Sequence, residues 1–341
     1  MPQSPVILVD VMNTVFRAHY AFHNLSYESK PTGIIYGILK TLHDLRQNVS
    51  PRILWVWDHG IPIPGAAKPR NWREDVVTKY KANRNHNNDE YRGILAQLPE
   101  VFNILTLLGY SSVSVMGLEA DDVIGVLSKI LKDDVLIFST DKDFYQLLNS
   151  RVQVLVPKKE NGNFRRISHT DVEKEFGIPV HVWDEYLALG GDSCDNIKPM
   201  RGMGPKTAIK LLKDGADLGL PGFKDQIPSF RLLHANLEPI WPEIKKSYYA
   251  AQIPTSWYDP RIKSCIEAHG IPSYRTEPFW RSNIERAAAK LKFEQFLADR
   301  NMVSLLALRH KFFEVKSNTE RTPPSCPPPI VRTPKPRISL I

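Results

Sequence analysis

Nine carboxylates in this chain stand where a metal site would want them. Three are Asp residues that each close an apolar run: VILVD ends at Asp10, ILWVWD at Asp58 and VLIFSTD at Asp141. Runs of this length and composition read as buried strands of a parallel sheet. Open parallel sheets bind ligands at the carboxyl ends of their strands, so these side chains are expected to converge on one edge. Glu119, Asp121, Asp122, Asp143, Asp192 and Asp195 supply the rest. Carboxylates crowded into one cleft repel one another, and divalent metal is the simplest way to hold them together.

Each group also has a plainer reading. Asp10 or Asp58 alone could be a helix N-cap. Glu119, Asp121 and Asp122 in GLEADDVIGVLSK fall in the first turn of an expected helix, where acids favour the dipole. Glu119 and Asp122, three apart, share a face of it. Asp141 and Asp143 in STDKDF point to the same side of an extended loop, or form a turn with an Asx hydrogen bond. In GDSCDNIKPMRGMGPKTAIKLL, Asp192 and Asp195 stand three apart beside two glycines. Gly202 and Gly204 then form a turn feeding a helix, with backbone amides suited to phosphate and with Lys206 and Thr207 beside them. This is no P-loop, because Pro205 stands where that motif needs its second Gly.

The elements that must position these groups alternate. Strand-like runs at 6–10, 52–58, 111–116 and 135–139 are separated by helical patterns. One such helix carries the apolar stripe Ile34, Ile35, Ile38, Leu39, Leu42 and Leu45; others are expected over 94–108 and 121–131. The runs 152–157 and 164–167 flank a turn-rich KKENGN and predict a hairpin. This is α/β patterning with a mainly parallel sheet. It gives an α/β domain over 1–167 and a mostly helical region over 168–316. In the latter, Thr170 to Glu173 opens a short helix as a capping box, and another helix covers 179–189. Residues 317–341 hold seven Pro in 25 residues and are expected to be a disordered, basic tail.

Segment 71–92 is polar, carries five Lys and Arg, and contains Trp72, Tyr80 and Tyr91. Aromatic rings among cations suit single-stranded nucleic acid, and the same composition suits a solvated surface insertion. Its Asn83, Asn85, Asn87 and Asn88 make a poor helix.

At 341 residues and 42% hydrophobic content, the chain can build about two domains with ample core. A net charge of +8 and a pI near 9.2 set a basic exterior against the acidic cleft, which leans towards polyanions. Three Cys without a CxxC pair argue against a disulfide framework or zinc and fit a reducing cytoplasm. The N-terminus lacks a signal peptide's basic and apolar regions, and no run is long enough to span a membrane.

Together these segments resemble the 5′-nuclease (flap endonuclease) superfamily, most of all the bacteriophage 5′–3′ exonucleases and the N-terminal nuclease domain of bacterial DNA polymerase I. The matching pieces are ILVDVMNTVFRAHYA, PTGIIYGIL, WVWDHG, NWREDVVTKYKANR, GLEADDVIGVLS, STDKDFYQLL and GDSCDNIKPMRGMGPKTAIKLL. The resemblance implies a PIN/FEN-like twisted sheet with flanking helices, an arch at about 71–100 and a helix–three-turn–helix at about 186–213. It implies a first metal site from Asp10, Asp58, Glu119, Asp121, Asp122 and Asp141, and a second from Asp143, Asp192 and Asp195. The ions would be two Mg²⁺, with Mn²⁺ able to substitute. Tyr80, Lys81 and Arg84 would serve catalysis at the foot of the arch. Arg73, Gly202, Gly204, Lys206 and Thr207 would contact DNA, with a K⁺ ion at the hairpin.

The implied activity is hydrolysis of DNA at 5′ ends, flaps or nicks, and of RNA in RNA–DNA hybrids, in replication, primer removal or repair. The implied protein is a cytoplasmic monomer of bacterial or phage-infected cells. The tail lies outside the resemblance: it could dock a single-strand-binding protein, but its few cations favour the plainer reading of an unstructured end. Two departures stand out: Val11 follows the first Asp where the family usually has Gly, and 196–200 reads NIKPM where the family has NIPGV.

Two rivals differ in chemistry. A haloacid-dehalogenase-like phosphatase needs a second Asp two residues after the first, where Met12 stands. A catalytically silent DNA-structure-binding protein of the same fold is disfavoured by the intact carboxylates, because unneutralised acids in a DNA cleft are unfavourable without metal.

Overall fold

The computed structural model describes residues 4–58, 71–77, 79–82, 88–158, 164–197, 199, 203–213, 241–256, 258–269 and 273–274. In chain order, β1 (Val6–Asp10) leads into α1 (Val11–Phe22), a small hairpin of β2 (Ser26–Tyr27) and β3 (Lys30–Pro31), and α2 (Gly33–Asn48). Then come β4 (Ile53–Trp57), the short α3 (Arg73–Val76) and the long α4 (Asp89–Leu107). β5 (Ser111–Ser114), α5 (Ala120–Ile130), β6 (Val135–Phe138), β7 (Val152–Pro157) and β8 (Phe164–Ile167) follow. The remaining elements are α6 (His169–Phe176), α7 (Trp183–Gly190), α8 (Pro205–Lys213), α9 (Trp241–Ala251), α10 (Pro260–His269) and β9 (Ser273–Tyr274).

Seven strands form one sheet in the order β8-β7-β6-β1-β4-β5-β9. The five strands from β7 to β5 are parallel, and β8 and β9 close the edges antiparallel. β1 is buried along its whole length, as a central strand covered on both faces must be. Its side chains alternate between two cores. Ile7 and Val9 pack with α2 and α4, through residues such as Ile38, Leu42 and Leu98. Val6 and Leu8 belong to the other cluster, with α5, α7 and α9 through Val123, Trp183 and Ile244. That division is the two-residue period of a strand. The stripe on α2 from Ile34 to Leu45 is buried as its spacing predicts.

Several local expectations are corrected. The helix expected over 94–108 begins earlier, because Asn88 caps it, accepting the Tyr91 amide at 2.7 Å. The capping box of α6 is formed by Ser168 and Asp171, two residues before the expected Thr170 and Glu173. The helix expected over 179–189 is a 3₁₀ turn, Val180–Val182, followed by α7. The largely helical region after 168 also contributes β9, which pairs with β5. Of the expected arch over 71–100, the described parts are α3, the turn at 79–82 and α4. Residues 83–87, the tail 317–341 and Gly202 lie outside the described residues. Among the described residues, no helix is long and apolar enough to cross a membrane.

Candidate active site

The carboxyl ends of β1, β4 and β6 deliver Asp10, Asp58 and Asp141 to one edge of the sheet. Asp10 both ends β1 and caps α1, accepting the Asn13 amide at 3.1 Å. Its other oxygen accepts the Ser139 hydroxyl at 3.0 Å. Burial, followed by the charge of Asp58 and then that of Asp141, pushes Asp10 up to about 7. Asp58 accepts the Ala120 amide at 2.7 Å and so ties the end of β4 to the start of α5.

Asp141 caps a 3₁₀ segment, Lys142–Leu147, by accepting the Asp143 amide at 3.0 Å. The extended loop expected here is therefore a tight turn. Asx bonding and a role in the cleft coexist in one residue. Burial raises the pKa of Asp141, and Asp195 and Asp192 add to it. Asp143 is raised further by burial and by Asp141, Asp195 and Asp192.

The loop after α7 supplies the remaining pair. Asp192 and Ile197 exchange backbone hydrogen bonds at 2.9 and 2.8 Å, closing a tight turn that contains Asp195. One ligand atom each from Asp143, Asp192 and Asp195 all lie within 4.8 Å of one another. Burial and then Asp195 raise the pKa of Asp192. Three hard oxygen donors at this spacing fit a divalent cation.

The foot of the expected arch closes over this floor. Tyr80 is buried, with Oη 2.7 Å from Asp195 and 3.0 Å from Glu119. Burial and those two carboxylates hold its phenol protonated. Lys81 Nζ lies 2.7 Å from Glu119 and 3.5 Å from Asp195. Its backbone is left-handed, with φ of 52°, a conformation that costs a lysine about 1 kcal/mol or more. A cavity of about 520 Å³ opens beside them, lined by Tyr80, Lys81, Tyr91, Leu95 and Glu119 among others.

Glu119 is the N-cap of α5 rather than a first-turn residue, and Asp122 completes a reciprocal capping box with it. The helix-end reading of these acids therefore holds alongside their place in the cleft. Arg73 corrects its expected role. Its side chain is buried rather than offered to DNA, and it meets Glu119 at 3.3 Å, Asp121 at 3.2 Å and Asp122 at 2.9 Å. At Gly204, the expected row of phosphate-binding amides is shortened. Pro205 has no N–H, and the Thr207 and Ala208 amides both return to the Gly204 carbonyl at 3.0 Å. Lys206 remains exposed at this helix start.

Residue types alone did not mark Asn13 or Ser139 as site residues, and they marked Trp72 only as a ring that could stack on nucleic acid. Trp72 Nε1 donates to Asp122 at 3.2 Å, and Asn13 and Ser139 hold Asp10. The available signal was adjacency: Trp72 precedes Arg73, Asn13 stands at N3 from a capping Asp10, and Ser139 lies two residues before Asp141.

A family model described as 5′–3′ exonuclease, N-terminal resolvase-like domain, matches residues 5–177. A 5′–3′ exonuclease of Buchnera aphidicola subsp. Schizaphis graminum is 34% identical over 217 residues, covering 62% of this chain and 70% of that protein. A thermostable DNA polymerase I of Thermus filiformis is 32% identical over 216 residues, 62% of this chain, and the match spans only 24% of the polymerase. Among solved structures, T5 5′-exonuclease with bound zinc aligns with a TM-score of 0.57 at 18% identity, covering 89% of this chain and 98% of that one. At that identity the likeness carries the fold.

Proposed function

The chain belongs to the 5′–3′ exonuclease family of phosphodiester hydrolases, and from that premise we propose that it cleaves DNA at 5′ ends, nicks and flaps with two divalent cations. The carrying observation is the triad Asp143, Asp192 and Asp195, whose ligand atoms lie within 4.8 Å of one another beneath Lys81. In this reading the triad holds one cation. Asp10, Asp58, Glu119, Asp121 and Asp141 line the place of the other, with Asp141 between the two. Bound Mg²⁺ supplies a nucleophilic water at neutral pH and charge for the leaving oxygen. The protein's own groups do the remainder. Lys81 neutralises charge that develops on the phosphoryl oxygens. Tyr80 keeps its proton and, within hydrogen-bond distance of both Glu119 and Asp195, links the two halves of the floor. Arg84 and Lys206 offer further cations to the nucleic-acid backbone.

The same reading makes Mg²⁺ the working ion, with Mn²⁺ as a substitute and K⁺ at the turn before α8. It extends substrates to RNA in RNA–DNA hybrids and places the activity in replication, primer removal or repair. It keeps the division into 1–167, 168–316 and a basic, Pro-rich tail over 317–341 whose plainer reading is non-specific affinity for nucleic acid, with docking of a single-strand-binding protein as the alternative. It describes a cytoplasmic monomer. The deciding experiment is a panel of end-labelled nicked duplex, 5′ flap, RNA–DNA hybrid and free single strand, with Mg²⁺ or with EDTA. Cleavage from the 5′ side that EDTA abolishes supports the proposal. Binding of the flap without cleavage in either Mg²⁺ or Mn²⁺ refutes it.

A further inference from the structure

We infer that Asp122 is not a metal ligand but a positioning residue, paired with Arg73 as an internal cation that holds Glu119 and Asp121 in place. The inference rests on the proposed metal-dependent reading and changes which residues carry it. The Asp122 side chain is fully buried. Its Oδ2 accepts from Trp72 Nε1 at 3.2 Å, Arg73 Nη1 at 3.0 Å and the Glu119 amide at 3.1 Å. Its Oδ1 lies 2.9 Å from Arg73 Nη2. Three donors fill Oδ2, while Oδ1 makes no hydrogen bond and is shut from solvent behind the Arg73 guanidinium, so a cation reaching Asp122 would have to displace Arg73.

Arg73 is equally committed. Its Nε donates to the Ala250 carbonyl at 3.0 Å, near the C-terminus of α9, and Nη2 approaches the Gln252 carbonyl at 3.4 Å. Nη1 and Nη2 carry the contacts to Glu119, Asp121 and Asp122. The guanidinium lies over the Trp72 ring at 4.4 Å. An arginine keeps its charge in any such setting, and its planar fork suits several carboxylates at once. Arg73 thus neutralises part of the acid cluster permanently. It also ties three separate stretches together: the root of the expected arch, the start of α5 and the end of α9. Asp122 shares that positive charge with Asp121 and Glu119, and of the two Asp side chains only that of Asp121 keeps exposed surface for a metal to reach.

The test is Mn²⁺ titration of the full chain without DNA, followed by electron paramagnetic resonance, with thermal melts alongside. Wild type, Asp122→Asn, Asp121→Asn and the double variant Arg73→Gln/Asp122→Asn are compared. Asp121→Asn is expected to lose one of two ions. Asp122→Asn is expected to retain both, with one bound about 10-fold more weakly because the unpaired Arg73 charge falls on Glu119 and Asp121. Removing the pair together is expected to bring that affinity back to within about 3-fold of wild type, the non-additivity of a coupled pair. If Asp122→Asn does not fold, retention of two ions by the double variant still supports the inference. Loss of an ion by Asp122→Asn or by the double variant, or no recovery in the double, overturns it. A wild-type chain that binds no Mn²⁺ overturns the proposed function instead.

Discussion

Lys81 meets Asp195 twice: its amide donates to the Asp195 carbonyl at 3.1 Å, and its Nζ lies 3.5 Å from the Asp195 carboxylate. Asn196 completes the clasp, donating from Nδ2 to the Lys79 carbonyl at 2.8 Å. The segment that leaves α3 is thus stitched to the loop that carries the second carboxylate pair. The left-handed backbone of Lys81 is held by these bonds, and strain retained at such a position is characteristic of sites where geometry matters more than stability.

Replacing Lys81 with Met keeps the length of the side chain and removes its charge. The cleavage rate of a 5′-flap substrate in single turnover is expected to fall by about 10²–10³-fold, the usual cost of losing one preorganised charge at a reacting centre. Flap affinity, measured in Ca²⁺, is expected to change by only a few fold, since one phosphate contact among many is removed. A wild-type rate in this variant would take Lys81 out of the chemistry.

Tyr80 has a single hydroxyl proton and two carboxylate neighbours, Asp195 at 2.7 Å and Glu119 at 3.0 Å. Tyr80→Phe keeps the ring that Lys81 rests against at 4.9 Å and removes the proton. In EDTA the variant is expected to lose about 1–3 kcal/mol, the worth of a buried hydrogen bond to a charged acceptor. Saturating Mn²⁺ should recover most of that loss, because a cation takes over the screening. Equal losses with and without Mn²⁺ in paired thermal melts would show that the hydroxyl serves packing alone.

Asp10 gives the pH dependence a sign. Its pKa rises from an ordinary 3.8 to about 7, through burial first and the charge of Asp58 second. The native state therefore binds more protons than the unfolded chain between these values, so its stability falls with rising pH across that window. The contribution is fully present below about pH 4 and is lost as pH passes about 7. Asp133 and Asp259 have pKa values lowered by Arg52 and Arg261, and their contributions disappear only in more acidic solution. The urea midpoint of the metal-free protein should accordingly be lower at pH 8 than at pH 5.5. Mg²⁺ favours the charged carboxylates and should reverse the order. A metal-free midpoint that rises with pH across this window would contradict the burial of Asp10.

Much of this arrangement was legible before any coordinates. Asp10, Asp58 and Asp141 announce themselves because each ends an apolar run, and a parallel sheet leaves only one edge for such residues. The stripe on α2 was legible for the same kind of reason, since periodicity is a local property. Partnerships across the chain were not. Arg73 sits in a segment rich in cations and looks like a surface residue, yet its acceptors lie 46 to 49 residues away at Glu119 to Asp122 and 177 away at Ala250. Nothing within reach of Arg73 in the sequence marks it as buried. β9 escaped detection for a related reason: two residues carry no period, and only the exposed edge of β5 makes them a strand.

Gly191 and Gly93 should respond in opposite directions to the same substitution, Gly→Ala. Gly191 follows α7 directly and adopts φ of 78°, a region that an alanine enters only with strain. A Cβ placed there would fall 2.4 Å from the Pro199 nitrogen, which is backbone and has little freedom to yield. The next residue is Asp192, so any relief of that collision moves a proposed ligand. Gly191→Ala is expected to cost about 1–3 kcal/mol of stability and to weaken Mn²⁺ binding by about 10-fold, since carboxylate ligands tolerate little displacement. Gly93 lies inside α4, where an added Cβ would meet nothing within 4 Å. There, Gly93→Ala is expected to gain about 0.5–1 kcal/mol from helix propensity and leave Mn²⁺ affinity unchanged. Thermal melts and Mn²⁺ titrations on the two variants read both quantities. If Gly191→Ala bound Mn²⁺ as tightly as wild type, the loop geometry that sets Asp192 beside Asp143 and Asp195 would not be what fixes the site.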